Sequence, residues 1–209
     1  MNVTKIRTVN DWHAILISCQ VKPATAQRWA AVFAAEISSR TFSLGDSEID
    51  DFLGQVLHES SMLERLEENL FYTTPERIVA VWPHRFGTNE QALPYLRNPV
   101  ALANKVYSNR LGNTTPGDGY QYRGRGLLQV TGKDNYAVVG KALKLDLENT
   151  PDLLAQPVIA LRASIAWWEG NVPDCIMGDL VRVTKRVNGG INGLAHRELL
   201  TSAAMRMIV

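Results

Sequence analysis

Apolar residues along this chain recur mostly at intervals of three and four positions, and alternation of apolar and polar residues is almost absent. Such spacing predicts amphipathic helices rather than strands. One helix is predicted to open at Pro23 and to continue through Trp29, Phe33 and Ile37, each four residues after the one before. The fold is therefore expected to be mainly α.

Proline and capping residues indicate where later helices begin, because proline is favoured in the first turn and Asn or Thr just before it. The last helix is predicted to run from about Leu194 to the C-terminus. The other starts predicted in this way are Thr74-Pro75-Glu76 (ending near Trp82), Asn98-Pro99 (continuing through Val106), Asn149-Thr150-Pro151 and Gln156-Pro157.

A helix predicted to start at Ser47 carries a candidate catalytic residue. Ser47-Glu48-Ile49-Asp50 resembles a capping box with Asp in place of Glu. Glu59 falls at the edge of the apolar face of this helix, where nearby apolar groups can raise a carboxyl pKa and suit it to general acid catalysis. Most surface glutamates do no chemistry, so the helix alone does not assign Glu59 a role.

Two glycine-rich stretches interrupt the helical pattern. The stretch from Gly112 to Gly132 contains seven glycine or proline residues, which predicts a loop with at most a short hairpin around Leu127–Gln129. A second stretch, 188–193, separates the last two predicted helices. Long loops inside compact helical proteins are usually functional or disordered, and the aromatic and arginine residues here argue against disorder.

Composition and charge exclude several classes of protein. A length of 209 residues fits one domain with a sizeable core. The net charge of +1, without a basic stripe, argues against nucleic-acid binding. No apolar run is long enough for stable membrane insertion, and no secretory signal follows the N-terminus, so the chain is expected to stay in the cytoplasm after synthesis. Cys19 and Cys175 are expected to be buried free thiols of a reducing compartment.

The sequence offers little for metal or serine catalysis. The four histidines are scattered without a His-Glu-x-x-His motif, and no Gly-x-Ser-x-Gly elbow occurs. No metal and no other cofactor is therefore expected. Glycoside hydrolysis needs only two carboxyl groups facing one bond. Glu68, nine residues after Glu59, is a candidate for the second one, although Glu64, Glu67 and Glu68 together also fit a solvated charge cluster.

Several short motifs follow one another in a fixed order between roughly Phe52 and Arg197. They are His58-Glu59-Ser60, Glu68-Asn69-Leu70-Phe71-Tyr72, Ala103-Asn104-Lys105-Val106-Tyr107, Tyr122-Arg123-Gly124-Arg125-Gly126-Leu127-Leu128-Gln129-Val130-Thr131, Asn135-Tyr136 and Val187-Asn188-Gly189-Gly190. Together they resemble the chitinase-like glycoside hydrolase family 19, in the form of bacteriophage endolysins and related bacterial enzymes. The resemblance implies a lysozyme-like, two-lobed helical fold with a groove between the lobes.

The resemblance also implies roles for individual residues. Glu59 matches the general acid, Glu68 the general base, and Thr131 a residue that helps hold the attacking water. Arg197 matches an arginine that neighbours the acid. Tyr122 and Tyr136 are residues that could stack on sugar rings, although core packing is the commoner fate of a tyrosine. The full predicted substrate-binding set is His58, Tyr122, Gln129, Asn135, Tyr136, Asn188 and Arg197.

Two departures from the family pattern concern the charges of the site. Glu67 competes with Glu68 for the role of base, because the second glutamate follows the first at a shorter spacing than in plant relatives. Relatives often carry an acidic residue near Asn192 that would interact with the arginine, and this chain lacks it.

The resulting hypothesis is an endolysin that hydrolyses β-1,4 bonds of peptidoglycan glycan strands by a two-glutamate inverting mechanism and so lyses the host. An inverting enzyme should hold its carboxyl groups about 6.5–9.5 Å apart. The enzyme is expected to wait in the host cytoplasm until a pore-forming holin, implied functionally rather than as a binding partner, admits it to the periplasm and wall.

We expect a monomer with one catalytic domain over residues 1–209, a possible small helical lobe at about 72–111, and no separate wall-binding module. Two alternatives stay open: a bacterial chitinase with the same machinery, and an inactive sugar-binding protein, against which both glutamates and Thr131 argue.

Overall fold

A computed structural model describes residues 5–208 of the chain and is mainly α-helical, as predicted. Its β contacts within that range are isolated bridges, and the bridge between Arg125 and Val130 closes the short turn expected around Leu127–Gln129. The α-helices of the described range, α1 to α11 in chain order, are Val9–Ser18, Pro23–Glu36, Ile49–Glu59, Pro75–Val81, Asn89–Ala92, Pro99–Tyr107, Asp118–Gln121, Lys133–Leu143, Pro157–Asn171, Leu180–Asn188 and Leu194–Ile208. Short 3-10 helices cover Gly45–Glu48, Leu93–Tyr95, Pro151–Ala155 and Asp174–Ile176.

The chain divides into two compact units. The first consists of Met1–Leu66, Gly126–Leu128 and Leu153–Val209, and contains α1 to α3 and α9 to α11. The second consists of Glu67–Arg125 and Gln129–Asp152, and contains α4 to α8. Residues 72–111, predicted as a small helical lobe, lie within the second unit. The assignment of all 209 residues to one catalytic domain stays a prediction.

The core of the first unit surrounds α3. Phe52 of α3 is fully buried and packs edge-on against Trp168 of α9, with ring centroids 5.5 Å apart. Burying a side chain of this size contributes about 1.5–3 kcal/mol. On another side, α3 packs closely on α11: a Cβ added to Gly54 would lie 2.0 Å from the Thr201 hydroxyl oxygen. The glycine therefore permits the close approach of these two helices.

The start of α3 differs from the prediction. Ser47 does not cap it, because its hydroxyl donates to the carbonyl oxygen of Leu44 (2.8 Å). A 3-10 turn precedes the helix, which begins at Ile49. The buried carboxylate of Glu48 instead accepts hydrogen bonds from the Leu44 N–H (2.6 Å) and the Trp168 indole N–H (3.1 Å). The predicted capping box is wrong: the Ser47 hydroxyl bonds to Leu44, and among the described residues no side-chain hydrogen bond caps α3.

The core of the second unit is smaller. Its buried apolar side chains are contributed mainly by α4 to α6 and the segments beside them: Leu70, Ile78, Phe86, Ala92, Leu102, Ala103 and Val106. One correction concerns the stretch 112–132, predicted as a loop, which contains the four-residue helix α7. The buried Asp118 starts α7, and its carboxylate accepts the backbone N–H groups of Thr114 (3.1 Å) and Thr115 (2.9 Å).

The proline-based helix starts are confirmed at Pro23, Pro75, Pro99 and Pro157, and α11 begins at Leu194 as predicted. Among residues 5–208, none of the helices is both long and apolar enough to cross a membrane. Both cysteines are free, but only Cys19 is buried. Cys175 is exposed, within the 3-10 helix Asp174–Ile176, so the expectation of two buried thiols is wrong for this residue.

Candidate active site

Glu59 is the last residue of α3, and its carboxylate pairs with Arg197 of α11. The Arg197 side chain is only 1% exposed, so its charge needs partners inside the protein. Besides Glu59 it donates to the side-chain oxygen of Gln55, one turn earlier on α3, and to the carbonyl oxygen of Asn192 (3.2 Å). We call Glu59, Arg197 and Gln55 the acid cluster; all three lie in the first unit.

The acid cluster shows how the chain manages without an acidic residue near Asn192. The Asn192 carbonyl oxygen and the Gln55 amide oxygen accept two further hydrogen bonds from the guanidinium group. Both acceptors are neutral, so Glu59 is the one carboxylate bonded to Arg197 within residues 5–208. The contact between the arginine and Glu59 is the one that the family resemblance implied.

His58, predicted to bind substrate, faces another histidine. Its Nδ1 lies 2.8 Å from Nδ1 of His196 on α11, and the ring centroids are 5.1 Å apart. Burial, and then the charge of Arg197, lower the pKa of His58. Nothing in the spacing of the four histidines along the sequence predicted this pair.

Asn188, also predicted to bind substrate, ends α10 and shapes the loop that follows. Its side-chain N–H donates to the carbonyl oxygen of Asn192 (3.0 Å), and its oxygen accepts from the backbone N–H of Gly190 (2.8 Å). Asn192 also accepts from Arg197. The structure therefore connects Asn188 to the acid cluster through one backbone carbonyl group.

Glu68 lies beyond the end of α3, as predicted, in a segment of the second unit without regular secondary structure. One carboxylate oxygen accepts the hydroxyl hydrogen of Tyr107 (2.6 Å), and the other accepts the N–H of Gly124 (3.4 Å). The Glu68 N–H in turn donates to the carbonyl oxygen of Gly124 (2.9 Å). Burial and the carboxylate of Glu68 raise the pKa of Tyr107, so its hydroxyl remains a donor.

Gly124 brings several predicted site residues together. A Cβ at this position would lie 2.9 Å from the side-chain oxygen of Gln129, 3.2 Å from the hydroxyl oxygen of Thr131 and 3.3 Å from Cβ of Glu68. The absence of a side chain at Gly124 therefore allows these three side chains to converge. We call Glu68, Tyr107, Gly124 and Thr131 the base cluster.

Thr131 is anchored within the base cluster. Its hydroxyl donates to the carbonyl oxygen of Gln129 (3.0 Å). The side chain of Asn135 donates to the backbone carbonyl oxygen of Thr131 (2.7 Å). A hydroxyl that donates once keeps lone pairs free to accept a hydrogen bond. Thr131 is therefore suited to accept a hydrogen from a bound water.

Glu67, the competitor of Glu68, is engaged elsewhere. Its carboxylate pairs with Arg123 (3.2 Å) and with Arg125 (3.0 Å), whose side chain is only 2% exposed. Both of its carboxylate oxygens accept hydrogen bonds from these guanidinium groups. The geometry thus favours Glu68 over Glu67 as the base.

Tyr122 and Tyr136 require a correction. Both are buried, and their rings pack against each other with centroids 5.3 Å apart. The Tyr136 hydroxyl donates to the carbonyl oxygen of Arg123 (2.6 Å), and that of Tyr122 to the carbonyl oxygen of Glu148 (3.0 Å). Neither ring face is open to a sugar, so the predicted stacking gives way to a packing role.

In the part of the chain that the structure describes, no cluster of three or more His, Cys, Asp or Glu side chains is arranged to hold a metal ion.

Comparisons with known proteins point to one family. A family model described as "Chitinase class I", of glycoside hydrolase family 19, matches residues 88–181. A "Glycosyl hydrolase family 19 domain-containing protein" of Haemophilus influenzae is 38% identical over 160 residues, which is 74% of this chain and 76% of that protein. An "Acidic endochitinase" of Petunia hybrida is 43% identical over 71 residues, 32% of this chain and only a quarter (25%) of the plant enzyme.

Solved structures show the same fold. Chitinase C of Streptomyces griseus aligns with a TM-score of 0.56 at 18% identity, over 98% of this chain and 93% of that chain. A class IV chitinase of Zea mays aligns with a TM-score of 0.52 at 19% identity, over 93% and 79% of the two chains. These structural alignments establish the helical, lysozyme-like fold. At such low sequence identities they do not identify the substrate.

Proposed function

Because the chain belongs to glycoside hydrolase family 19, we propose that it hydrolyses β-1,4 bonds of bacterial peptidoglycan, with Glu59 as general acid and Glu68 as general base. The observation that carries the assignment of the two glutamates is their contrasting bonding. One carboxylate oxygen of Glu59 accepts a hydrogen bond from the charged Arg197. The carboxylate of Glu68 accepts hydrogen bonds from two neutral donors, the Tyr107 hydroxyl and the Gly124 N–H. Glu67, in contrast, is neutralised by two arginines.

In the proposed reaction Glu59 protonates the glycosidic oxygen as the bond to the anomeric carbon breaks. Arg197 bonds to one oxygen of Glu59, which leaves the second oxygen to carry the proton. A water attacks the anomeric carbon from the opposite face, giving one hydrogen to the carboxylate of Glu68 and directing the other to the hydroxyl oxygen of Thr131. One bond to carbon forms as the other breaks, so the configuration inverts.

Peptidoglycan suits the proposed chemistry because it is a β-1,4-linked polymer of N-acetylated amino sugars, and a relative of this chain occurs in the bacterium Haemophilus influenzae. Free thiols at Cys19 and Cys175 are typical of proteins made in a reducing compartment. Both observations agree with an endolysin that waits in the host cytoplasm and reaches the periplasm and wall once a holin has opened the inner membrane.

Chitin is the second candidate substrate, and the names of several relatives favour it. The Petunia hybrida relative is an endochitinase, and the Streptomyces griseus structure is a chitinase. Both polymers present N-acetylated sugars to the same two carboxyl groups, so the proposed chemistry is common to them.

Purified protein should be tested on gels containing either peptidoglycan or chitin, with Glu59→Gln as the inactive control. Clearing of peptidoglycan supports the proposal. Clearing of chitin alone would make the protein a chitinase, and binding without clearing of either polymer would make it a sugar-binding protein.

Two further assays test the mechanism. Proton NMR at early times should show the α-anomer released from a β-linked amino-sugar oligomer, and first release of the β-anomer would contradict inversion. EDTA should leave the cleavage of isolated peptidoglycan unchanged, because two carboxyl groups suffice for the chemistry. Loss of activity that zinc restores would contradict the two-glutamate mechanism.

A further inference from the structure

The histidine pair beside the acid cluster has no part in the proposed proton transfers. His58 precedes Glu59 on α3, and His196 precedes Arg197 on α11. The two rings therefore connect the same two helices that the ion pair between Glu59 and Arg197 connects. We propose that His196 is a positioning residue: its contact with His58 holds Arg197 against Glu59, and protonation of both rings breaks that contact and switches the enzyme off in acid. This inference rests on the proposed role of Glu59.

The distance between the rings limits how many protons the pair can hold. At 2.8 Å the two Nδ1 atoms are hydrogen-bonded, so one carries a hydrogen and the other offers its lone pair. The pair can accept one further proton at an outer Nε2 without losing this bond. A second added proton would place two N–H groups opposite each other, with two positive charges, and the rings must separate.

His58 also supports the loop that carries one of the partners of Arg197. A Cβ on Gly193 would lie 2.1 Å from Cε1 and 2.3 Å from Nε2 of His58, so the ring lies directly against the backbone of this glycine. The preceding residue, Asn192, accepts a hydrogen bond from Arg197. Movement of His58 would therefore disturb the guanidinium both through α3 and through this loop.

The surroundings of His58 disfavour a positive charge on that ring. Burial and then Arg197 on α11 lower the pKa of His58, and Glu59 on α3 partly offsets their effect. On the side of α1, His196 and Cys19 line the same small cavity. Burial raises the pKa of Cys19 to about 12, so this thiol stays neutral. Arg65 follows α3 and donates to the backbone oxygen of Glu59. The loop 189–193 adds no titratable side chain.

The sign of the pH effect follows from these charges. Burial and Arg197 lower the pKa of His58, so the folded protein prefers the ring neutral. The contribution of the pair to stability is therefore complete above the ordinary histidine pKa of about 6.5 and is lost as the pH falls through the lowered pKa. The acid limb of activity should reflect the same step.

His196→Asn separates the contact from the titration. An asparagine amide group reaches about as far from the backbone as Nδ1 of histidine, and it can accept from a protonated His58 or donate to a neutral one. With each activity profile normalised to its own maximum, the acid limb of this variant should move down by about one pH unit, the scale on which coupled sites separate. The matched control His84→Asn, from the second unit, should keep the parent profile. An unmoved acid limb in His196→Asn would overturn the proposal.

A measurement on the parent chain avoids dependence on any variant or on activity. Nitrogen-15 NMR of the histidine rings in the full chain should show His58 and His196 titrating in two coupled steps separated by more than about one unit. Independent titration of both rings near the ordinary value would overturn the proposal. If Glu59→Gln stays active, the proposed function fails, while this NMR result still decides whether the pair is coupled.

Discussion

The acid cluster and the base cluster hold their glutamates in opposite ways. Glu59 ends a helix, and a buried arginine from another helix fixes its carboxylate through charge. Glu68 lies in a segment without regular secondary structure, where two neutral donors, a tyrosine hydroxyl and a backbone N–H, bond to its carboxylate. Helix packing therefore positions the proposed acid, while hydrogen bonds within the second unit position the proposed base. We expect changes at the acid cluster to depend on the packing of α3 and α11, and changes at the base cluster to act locally on the rate.

The largest effect is expected for Glu59→Gln. The amide keeps the shape and can still accept a hydrogen bond from Arg197, but it cannot protonate the leaving oxygen. General acid catalysis is worth about two to four powers of ten, so the rate of release of soluble fragments from purified peptidoglycan should fall by that factor. Thermal melting followed by circular dichroism should show that the fold survives. A rate within a few-fold of the parent would remove Glu59 from the mechanism.

Glu68→Gln and Glu67→Gln should fail in different ways. Glu68→Gln should lose nearly all activity with little change in melting temperature, because a neutral amide cannot take the proton of the water. Glu67→Gln should keep most activity and lose about 1–2 kcal/mol of stability, since Arg123 and Arg125 lose a partly exposed partner. Urea unfolding and rate measurements on both variants give the comparison. If Glu67→Gln is the inactive and stable variant, the base has been assigned one residue too late.

Tyr107→Phe tests whether a neutral donor is enough to hold the base. The substitution removes the hydroxyl that lies 2.6 Å from a carboxylate oxygen of Glu68 and leaves the partly buried ring. Hydrogen bonds to charged groups are worth about 1.5–3 kcal/mol, so kcat should fall about 10- to 100-fold. Tyr95→Phe is a suitable control within the same unit. An unchanged kcat would show that Gly124 alone positions Glu68.

The smallest effect is expected for Thr131→Val. This change keeps the shape and removes a hydroxyl that donates to the carbonyl oxygen of Gln129 (3.0 Å). The loss of one hydrogen bond to the attacking water should cost about 0.5–1.5 kcal/mol of transition-state stabilisation, or roughly a 2- to 12-fold lower rate. Chemical denaturation should separate this loss from instability. A stable fold with the full rate would leave Thr131 with a structural role only.

The sequence predicted well where the signal is local. Prolines at Pro75, Pro99 and Pro157 fixed helix starts because the ring restricts the backbone of its own residue. Even α1, which was not predicted, carries such a signal: Thr8 and Asp11 form a reciprocal capping box. Order of motifs along the chain also identified the family, which the comparison with the bacterial relative confirms.

Prediction was wrong where a residue's partner is distant in the sequence. The capping box predicted from Ser47 and Asp50 does not form, and the buried Glu48 between them bonds to the indole of Trp168, 120 positions away. Tyr122 and Tyr136 are of a residue type that often stacks on sugar rings. Only the structure shows that their two rings pack against each other. The pairing of His58 with His196 depends on the contact between α3 and α11, which no spacing within either helix reveals.

The close contact at Gly54 also bears on engineering the enzyme for heat resistance. Replacing helical glycines by alanine is a common route to a more stable protein, since alanine restricts the unfolded chain and gains about 0.4–1 kcal/mol where it fits. Gly170, near the end of α9, has no atom within 4 Å of an added Cβ and is the natural position for this exchange. At Gly54 the same exchange would drive a methyl group into Thr201 and push α3 away from α11. A library built on the general rule would therefore risk separating Glu59 from Arg197, and a thermostable enzyme should be sought with Gly54 left unchanged.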